Sequence, residues 1–217
     1  MRNDATRAIN TDIVLIDIIN FSKLSSAEQL EIVIFLTKSF KKMLEKMLLN
    51  SGTELKKFII GFVSTGDGFY TILNPRLKGF GAILGLSFNH FSERISNKYP
   101  YFEGIRIAVH TGEVNEFIDI LGNKNFIGDG LNDCARYVEV KYFTISTVMV
   151  SESAYNSLKK FLQRHRDFDQ LLKKRELKKS SLHIFVDKHG EVKRGSLIWL
   201  RNSGIINPPY INYNSII

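Results

Sequence analysis

The order of its apolar segments predicts that this chain folds as an α/β or α+β sandwich around one central sheet. Short β-rich runs alternate with longer runs of helical period along most of the sequence. Apolar residues make up 44% of the 217 residues, which is enough for a sizeable core. A chain of this length suits one domain, or one domain with an appendage.

The amino-terminal segment begins with a loose polar lead-in, residues 1–11, followed by a short apolar run at residues 13–16. Such a run is typical of a strand that is buried on both faces. Ser25 and Glu28 then fit a capping box, and a helical period continues to about Leu49. The pattern therefore predicts one long helix after the first strand.

A turn at residues 64–69 joins two β-rich runs, residues 58–63 and 69–73, and this predicts a hairpin. Asp67 lies at its tip, where the flanking glycines let the backbone bend tightly and leave the carboxylate unshielded. Taken alone, such an aspartate is usually a solvated turn residue. A second helix is predicted at residues 80–98 from its apolar period.

The rest of the chain continues the alternation. A strand at residues 104–110 is predicted to end at Thr111 and Gly112, and residues 113–120 predict a further strand that returns through residues 122–125. The remaining predicted elements are a helix at 129–138, a strand at 147–150, a helix capped by Ser151, and strands at 182–186 and 196–200. The tail from Asn202 is rich in Asn, Ile and Pro, and either folds onto a neighbour or is loose.

The net charge of +8 suits a polyanionic partner, either a nucleic acid, a membrane surface or a nucleoside triphosphate. The densest basic run, residues 159–179, is typical of a solvated helix face. No apolar run approaches the roughly 18 residues of a membrane span, and residues 1–12 are polar. We therefore expect a cytoplasmic protein without stable membrane insertion. Cys134 is the single cysteine, so an intrachain disulfide is impossible.

Asp17, which closes the first buried strand, and Asp67 are candidates for metal binding. A carboxylate in such a place is costly unless it is paired or binds a cation. Hard cations such as Mg²⁺ prefer carboxylate oxygens and substrate phosphates, and two of them can activate a hydroxyl and clamp a triphosphate. Asn132 and Arg136 share one face of the predicted helix, and arginine suits charge that develops on a phosphoryl group. These residues together suggest phosphate chemistry with divalent metal.

Four segments, in order, resemble the catalytic domain of the class III nucleotidyl cyclases. They are VLIDIINFS at residues 14–22, TGDGF at 65–69, RIAVHTGEV at 106–114 and FIGDGLNDCAR at 126–136. A fifth, residues 148–155, also fits. The resemblance covers about residues 12–158 and leaves the last third poorly matched, so we predict one such domain over residues 1–217 with its core at 12–158.

The resemblance implies a ferredoxin-like α+β fold, with a mostly antiparallel central sheet flanked by helices. It implies a nucleoside triphosphate substrate and a head-to-tail homodimer with composite sites at the interface. Asp17 and Asp67 would hold two divalent ions per site, Mg²⁺ or Mn²⁺, with help from the carbonyl of Ile18. From the other protomer, Asn132 would orient the ribose and Arg136 would stabilise the pentavalent phosphorus.

The resemblance also implies how the triphosphate is held while the ribose 3′-hydroxyl attacks the α-phosphate and pyrophosphate leaves. Its β- and γ-phosphates would lie against the backbone of three consecutive residues, Asn20, Phe21 and Ser22. Arg106 would neutralise them. The family also uses a late lysine, for which Lys188, between the last two strands, is the candidate and Lys193 the alternative.

Val63 and Asn125 occupy the positions at which this family reads the base. Adenylate cyclases have a lysine and an aspartate there, and guanylate cyclases usually have a glutamate and a cysteine. Val63 cannot hydrogen-bond a purine edge, whereas Asn125 carries both donors and acceptors. The compact chain resembles the bacterial pyrimidine cyclases of anti-phage defence, which make cyclic UMP or cyclic CMP. We therefore expect a pyrimidine cyclase, and an adenylate cyclase with an atypical base pocket is the alternative.

Two interpretations from other classes remain. A cyclase-like sensor or scaffold without catalysis is weakened because all four core residues are present. A nucleic-acid binder rests only on the net charge and lacks a clustered basic and aromatic motif, so we expect no nucleic-acid partner. His110, near the third segment, is expected to pack against the sheet rather than act as a base, and Cys134 to be a small packed residue.

Overall fold

The computed structural model describes residues 8–48, 54–140 and 147–202, without the side chains of residues 90–94 and 96. In these ranges the elements are β1 (Ala8–Ile18), α1 (Ser26–Leu48), α2 (Leu55–Phe58), β2 (Ile59–Ser64), β3 (Gly68–Leu73), α3 (Gly81–Lys98), β4 (Ile105–Ile118), β5 (Lys124–Ile127), α4 (Asp129–Val138), β6 (Val148–Ser151), α5 (Glu152–Arg164), α6 (Arg166–Lys174), β7 (Leu177–Lys179), β8 (His183–Val186) and β9 (Val192–Leu200). Short 3₁₀ turns at Phe21–Lys23 and Pro75–Leu77 follow β1 and β3.

One sheet joins all of these strands, in the order β2-β3-β1-β4-β6-β9-β7, with β5 paired to β4 and β8 to β9. Every pairing is antiparallel except β4 with β6, which is parallel. The antiparallel majority and the flanking helices confirm the predicted α+β class. β1 lies near the middle, between β3 and β4, so the residues at its end are flanked by a strand on each side.

Helices cover the two faces of the sheet unequally. Along β1, Val14 and Ile16 point into the larger core, which also takes in side chains of α1, α3, α5 and α6. Ile13 and Leu15 alternate with them and pack on the other face, mainly against α4. Burial on both faces explains the continuous apolar run of this strand.

Side chains cap two of the predicted helices as expected. At the start of α1, the Ser25 amide donates to Glu28 Oε2 at 2.8 Å and the Glu28 amide donates to Ser25 Oγ at 3.4 Å. At the start of α5, the Ala154 amide donates to Ser151 Oγ at 3.1 Å. Both caps satisfy amides that have no partner inside the helix.

Asp12 performs this task for α3 from a distant part of the chain. The amides of Gly79 and Gly81 donate to Asp12 Oδ2 at 2.7 and 2.9 Å, and Thr111 Oγ1 donates to Oδ1 at 2.6 Å. The carboxyl group is almost fully buried, and burial raises its pKa despite these three bonds. Asp12 thus ties β1 to α3 and to β4.

The structure corrects the prediction that a strand ends at Thr111 and Gly112 and that a new one begins at residue 113. A single strand, β4, runs through both residues and stays in register with β1 from Ile105 to Asn115. Position 112 requires a small residue because α4 packs closely against β4 here. A Cβ on Gly112 would lie 3.0 Å from Gly130 Cα and 2.6 Å from the His110 ring. This glycine serves close packing, not a turn.

Other differences lie at the edges of elements. Residues 8–11, predicted as part of a loose lead-in, form the first part of β1. The short strands β5 and β7 were not predicted. The predicted helix stop at residues 50–52 and the tail from residue 203 lie outside the described residues. Within the described ranges, no helix combines the length and apolar character needed to span a membrane.

Candidate active site

Asp17 stands at the end of β1, between Gly68 of β3 and Arg106 of β4. Arg106 donates to Asp17 Oδ2 from Nε at 2.8 Å, and its Nη2 lies 2.5 Å from the same oxygen. A Cβ on Gly68 would lie 1.9 Å from the carbonyl oxygen of Ile16, so only glycine fits beside this strand end. The sheet therefore fixes both the carboxylate and its arginine.

Asp67 is brought next to the same strand end by the β2–β3 hairpin. The Ile18 amide donates to the Asp67 carbonyl at 2.8 Å, and Thr65 Oγ1 donates to Asp67 Oδ1 at 3.1 Å. Gly66 has a φ of +93°, which lets the turn close tightly. Asp17, Ile18 and Asp67 thus meet at one corner of the sheet.

The charges at this corner favour a cation. Burial raises the pKa of the Asp17 carboxyl above its usual value; Arg106 opposes this shift, and the negative charge of Asp67 adds to it. Within the described residues, no group of three or more acidic, His or Cys side chains is arranged to hold a metal ion. The two carboxylates with nearby backbone oxygen are a donor set that fits Mg²⁺ or Mn²⁺, provided that substrate phosphates complete the coordination.

A compact turn follows directly after the aspartate. Asn20 has a left-handed φ of +54°, and its Nδ2 donates to Glu103 Oε2 at 2.6 Å. The Ile19 amide donates to the Gly104 carbonyl at 3.0 Å, and the Lys23 amide donates to the Asn20 carbonyl at 2.9 Å. Asn20, Phe21 and Ser22 are therefore held as a turn beside the two aspartates.

A second group of polar residues is built on α4. Asn132 and Arg136, one helical turn apart, border a cavity of about 550 Å³ whose other lining residues are Asp129, Asp133, Asp187, His189 and Glu191. Arg136 Nη1 donates to Glu139 Oε1 at 3.2 Å, and its Nη2 lies 3.3 Å from His189 Nε2. The arginine therefore lies between its own helix and the β8–β9 turn.

Lys193 of β9 is tied to this cavity, whereas Lys188 is exposed on the β8–β9 turn. Lys193 Nζ donates to Asp133 Oδ1 and Glu191 Oε2, both at 2.6 Å. Burial opposes the charge of Lys193, but these carboxylates outweigh burial and raise its pKa. Of the two lysines considered from the sequence, Lys193 is the one that lies beside the residues of α4.

His110 and Cys134 are packed side chains, as predicted. Burial lowers the pKa of His110 to about 4, so the imidazole is neutral near pH 7, and its ring stacks on Tyr137 at 5.7 Å between centroids. Cys134 Sγ lies 3.7 and 3.6 Å from the carbonyl oxygens of Ile13 and Ala108. Burial also raises the pKa of this thiol, which makes it unreactive.

The two base-position candidates lie on strands that contact each other. Val63 of β2 is half-buried against the smaller core. β5 lies against β2, because a Cβ on Gly61 would be 2.4 Å from the Phe126 ring. Asn125, the neighbour of Phe126, accepts the Phe126 amide on Oδ1 at 2.8 Å.

Within one chain the aspartate corner and the α4 cavity border the same face of the sheet but remain separate. Strand alternation places Asp17 on the α4 side, together with Ile13 and Leu15. Tyr70 is close enough to both groups to interact with their charges. Burial raises the pKa of Tyr70 to about 12, with smaller effects from Arg136, which lowers it, and from Asp67 and Asp17, which raise it. In the described residues, no hydrogen bond or ion pair joins the aspartates to Asn132 or Arg136.

The sequence analysis did not identify the residues that line the α4 cavity together with Asn132 and Arg136. Asp133 had a signal, because it lies on the same short helix as Asn132 and Arg136. His189 and Glu191 had none, since the β8–β9 turn meets α4 only through the tertiary fold.

Solved structures of cyclase domains share this fold. No family model matches the chain, and no curated protein matches its sequence. The catalytic core of a rhodopsin-guanylyl cyclase with converted specificity, in complex with ATPαS, gives a TM-score of 0.64 at 16% identity and covers 91% of this chain and 100% of that one. For the guanylyl cyclase Cya2 the values are 0.61, 15%, 92% and 98%. For the adenylyl cyclase CyaB from P. aeruginosa they are 0.55, 14%, 92% and 99%.

Proposed function

We propose, from the fold that this chain shares with guanylyl and adenylyl cyclase domains, that it converts a nucleoside triphosphate to a 3′,5′-cyclic nucleotide and pyrophosphate. The observation that carries the proposal is the corner at which Asp17 and Asp67 lie side by side with Arg106. A fold alone does not define an activity, but an acidic pair beside a fixed arginine is suited to a metal-bound triphosphate.

Each residue then has a definite task. Asp17, Asp67 and the Ile18 carbonyl would hold two divalent ions, which would activate the 3′-hydroxyl and neutralise phosphate charge. Arg106 and the turn of Asn20, Phe21 and Ser22 bind the β- and γ-phosphates.

The α4 residues act on the reacting part of the substrate. Asn132 hydrogen-bonds the ribose, so that the 3′-hydroxyl faces the α-phosphate. Arg136 stabilises the charge that develops on the phosphorus centre as pyrophosphate leaves. Lys193 is the better-placed late lysine because it already lies beside α4, whereas Lys188 would have to reach in from the turn.

A homodimer would bring the two groups together. The β4–β5 hairpin exposes large apolar side chains, which include Ile118, Ile120, Leu121 and Ile127. Ile120 is fully exposed at 101% of its reference area. A second copy of the chain would remove this apolar surface from water and supply Asn132 and Arg136 to the aspartate corner.

The base is proposed to be a pyrimidine. Val63 offers no hydrogen bond to a purine edge, and Asn125 uses its oxygen on the Phe126 amide, which directs its amide donors elsewhere. Such donors fit a carbonyl of uracil or cytosine. The resemblance to pyrimidine cyclases of anti-phage defence supports a role as a producer of a cyclic UMP or cyclic CMP signal.

Purified protein incubated with Mn²⁺ and each of ATP, GTP, CTP and UTP tests both levels of the proposal. Mass spectrometry should detect cyclic UMP or cyclic CMP as the main product. Cyclic AMP as the main product would support cyclase activity but reject the pyrimidine preference. It would favour the alternative, an adenylate cyclase with an atypical base pocket. No cyclic product from any of the four would reject the enzymatic function and favour a silent cyclase-like protein.

A further inference from the structure

We propose that His189 is a positioning residue for Arg136, which orients the guanidinium without reducing its positive charge. The inference rests on the proposed role of Arg136 at the reacting phosphorus. The Arg136 side chain is 12% exposed, and its two polar contacts in the described part of the chain are with Glu139 and His189. Its direction into the cavity is therefore set by these two groups.

The chemistry of the contact fixes the role of the imidazole. A guanidinium group has only donors, so His189 Nε2 acts as the acceptor in this contact. A carboxylate in this place would orient the arginine equally well, but it would cancel charge that the transition state needs. Glu139, the other partner, is 59% exposed, so water screens its charge.

The turn that carries His189 is itself well fixed. Asp187 Oδ1 accepts the amides of His189 and Glu191 at 2.9 and 3.0 Å, and the Asp187 amide donates to the Glu191 carbonyl at 3.0 Å. The Lys193–Asp133 bond at 2.6 Å is a second tie between this part of the sheet and α4. The backbone of this turn is therefore held beside α4, with the imidazole of the exposed His189 in contact with Arg136.

Three substitutions separate orientation from charge. His189→Gln keeps a neutral acceptor and should retain kcat within about twofold. His189→Ala removes the acceptor and should lower kcat about tenfold, the lower limit for losing a supporting contact, with little change in KM. His189→Glu keeps an acceptor but adds charge, and should lower kcat at least as much. Ile184→Ala, an exposed β8 position, is the matched control and should match the wild type.

The outcome is readable even for a chain without turnover. In ¹⁵N NMR spectra, the Arg136 Nη resonances, identified by their loss in Arg136→Lys, should be resolved in the wild type and in His189→Gln but averaged by free rotation in His189→Ala. An unchanged Arg136 spectrum in His189→Ala would overturn the inference. So would equal kcat values for His189→Glu and His189→Gln in an active enzyme. Resolved signals without cyclic product would instead reject only the proposed function.

Discussion

Asp17 carries its charge where water is scarce and another carboxylate is near. The free energy of that arrangement is unfavourable unless positive charge is supplied, and Arg106 supplies only part of it, since the pKa of Asp17 stays raised. The unfavourable electrostatics of Asp17 are therefore a physical reason to expect a bound cation beside it. The exposed Asp67 completes the pair at little cost to folding, because water still solvates it.

Asp67→Ala should therefore remove activity while the fold is kept. One metal site loses its carboxylate, and we expect the rate of cyclic nucleotide formation to fall at least about 100-fold. The thermal midpoint should change little because Asp67 is exposed. Asp167→Ala, which removes an exposed carboxylate from α6, is the control and should be fully active. Near-normal turnover of Asp67→Ala would contradict the metal assignment.

His110 should make stability depend on pH. Its pKa is about 4 in the folded chain and about 6.5 when unfolded, so the unfolded state binds the additional proton between these values. The unfolding free energy should therefore fall as pH decreases through this window, by about 2 kcal/mol between pH 7 and pH 5. Urea titrations at pH 7 and pH 5 should show this loss in the wild type and a smaller loss in His110→Gln. Equal losses in both proteins would contradict it.

At the scale of elements, α4 packs closely against β4 because glycine lies at the point of contact. A Cβ on Gly130 would lie 2.7 Å from the backbone oxygen of Glu113, which cannot move without breaking β4. Gly130→Ala should destabilise the chain by about 1–3 kcal/mol, the range for an overpacked site, and should also reduce turnover because Asn132 and Arg136 shift with the helix.

Chemical denaturation checks this prediction. Asn156→Ala, an exposed alanine substitution on α5, is the control and should stay within about 0.5 kcal/mol of the wild type. If Gly130→Ala were as stable as this control, close approach of α4 to β4 would not be the reason for the glycine.

The sequence predicted elements that depend on their own residues and missed those that depend on distant ones. Residues 129–138 form a helix with the predicted bounds because the amphipathic period is local. Thr111 and Gly112 resemble a strand end in the sequence. The glycine is instead required by close packing against Gly130, which is distant in sequence. Asp12 was missed for the same reason, since the amides that it accepts lie nearly seventy residues away.

The candidate site divides in the same way. Asp17 and Asp67 were identifiable because strand ends and glycine turns have local signatures, and the structure brings them together. The environment of Arg136 was not identifiable, because His189 approaches it from the β8–β9 turn, in the segment with the weakest sequence signal.

At the scale of the whole molecule, the separation of the two residue groups within one chain predicts complementation. Asp17→Ala and Arg136→Ala should each be inactive. In an equal mixture, half of the dimers combine one of each, and one of their two sites is intact, so activity should return to about one quarter of the wild type. Recovery should require subunit exchange, which brief dilution and reconcentration can supply. No recovery after proven exchange would contradict composite sites.

β4 extends without a break from Arg106 to the apolar β4–β5 hairpin, and this restricts which insertions and deletions the segment can tolerate. Arg106 and Ile118 are twelve residues apart on one strand, about 40 Å of extended chain, and this strand is in continuous register with β1 as far as Asn115. One residue inserted or deleted between them would turn every later side chain of β4 to the opposite face and shift the β4–β5 hairpin relative to Asp17 and Asp67. We therefore expect homologous chains to differ in the amino acids of this segment but to keep its length constant.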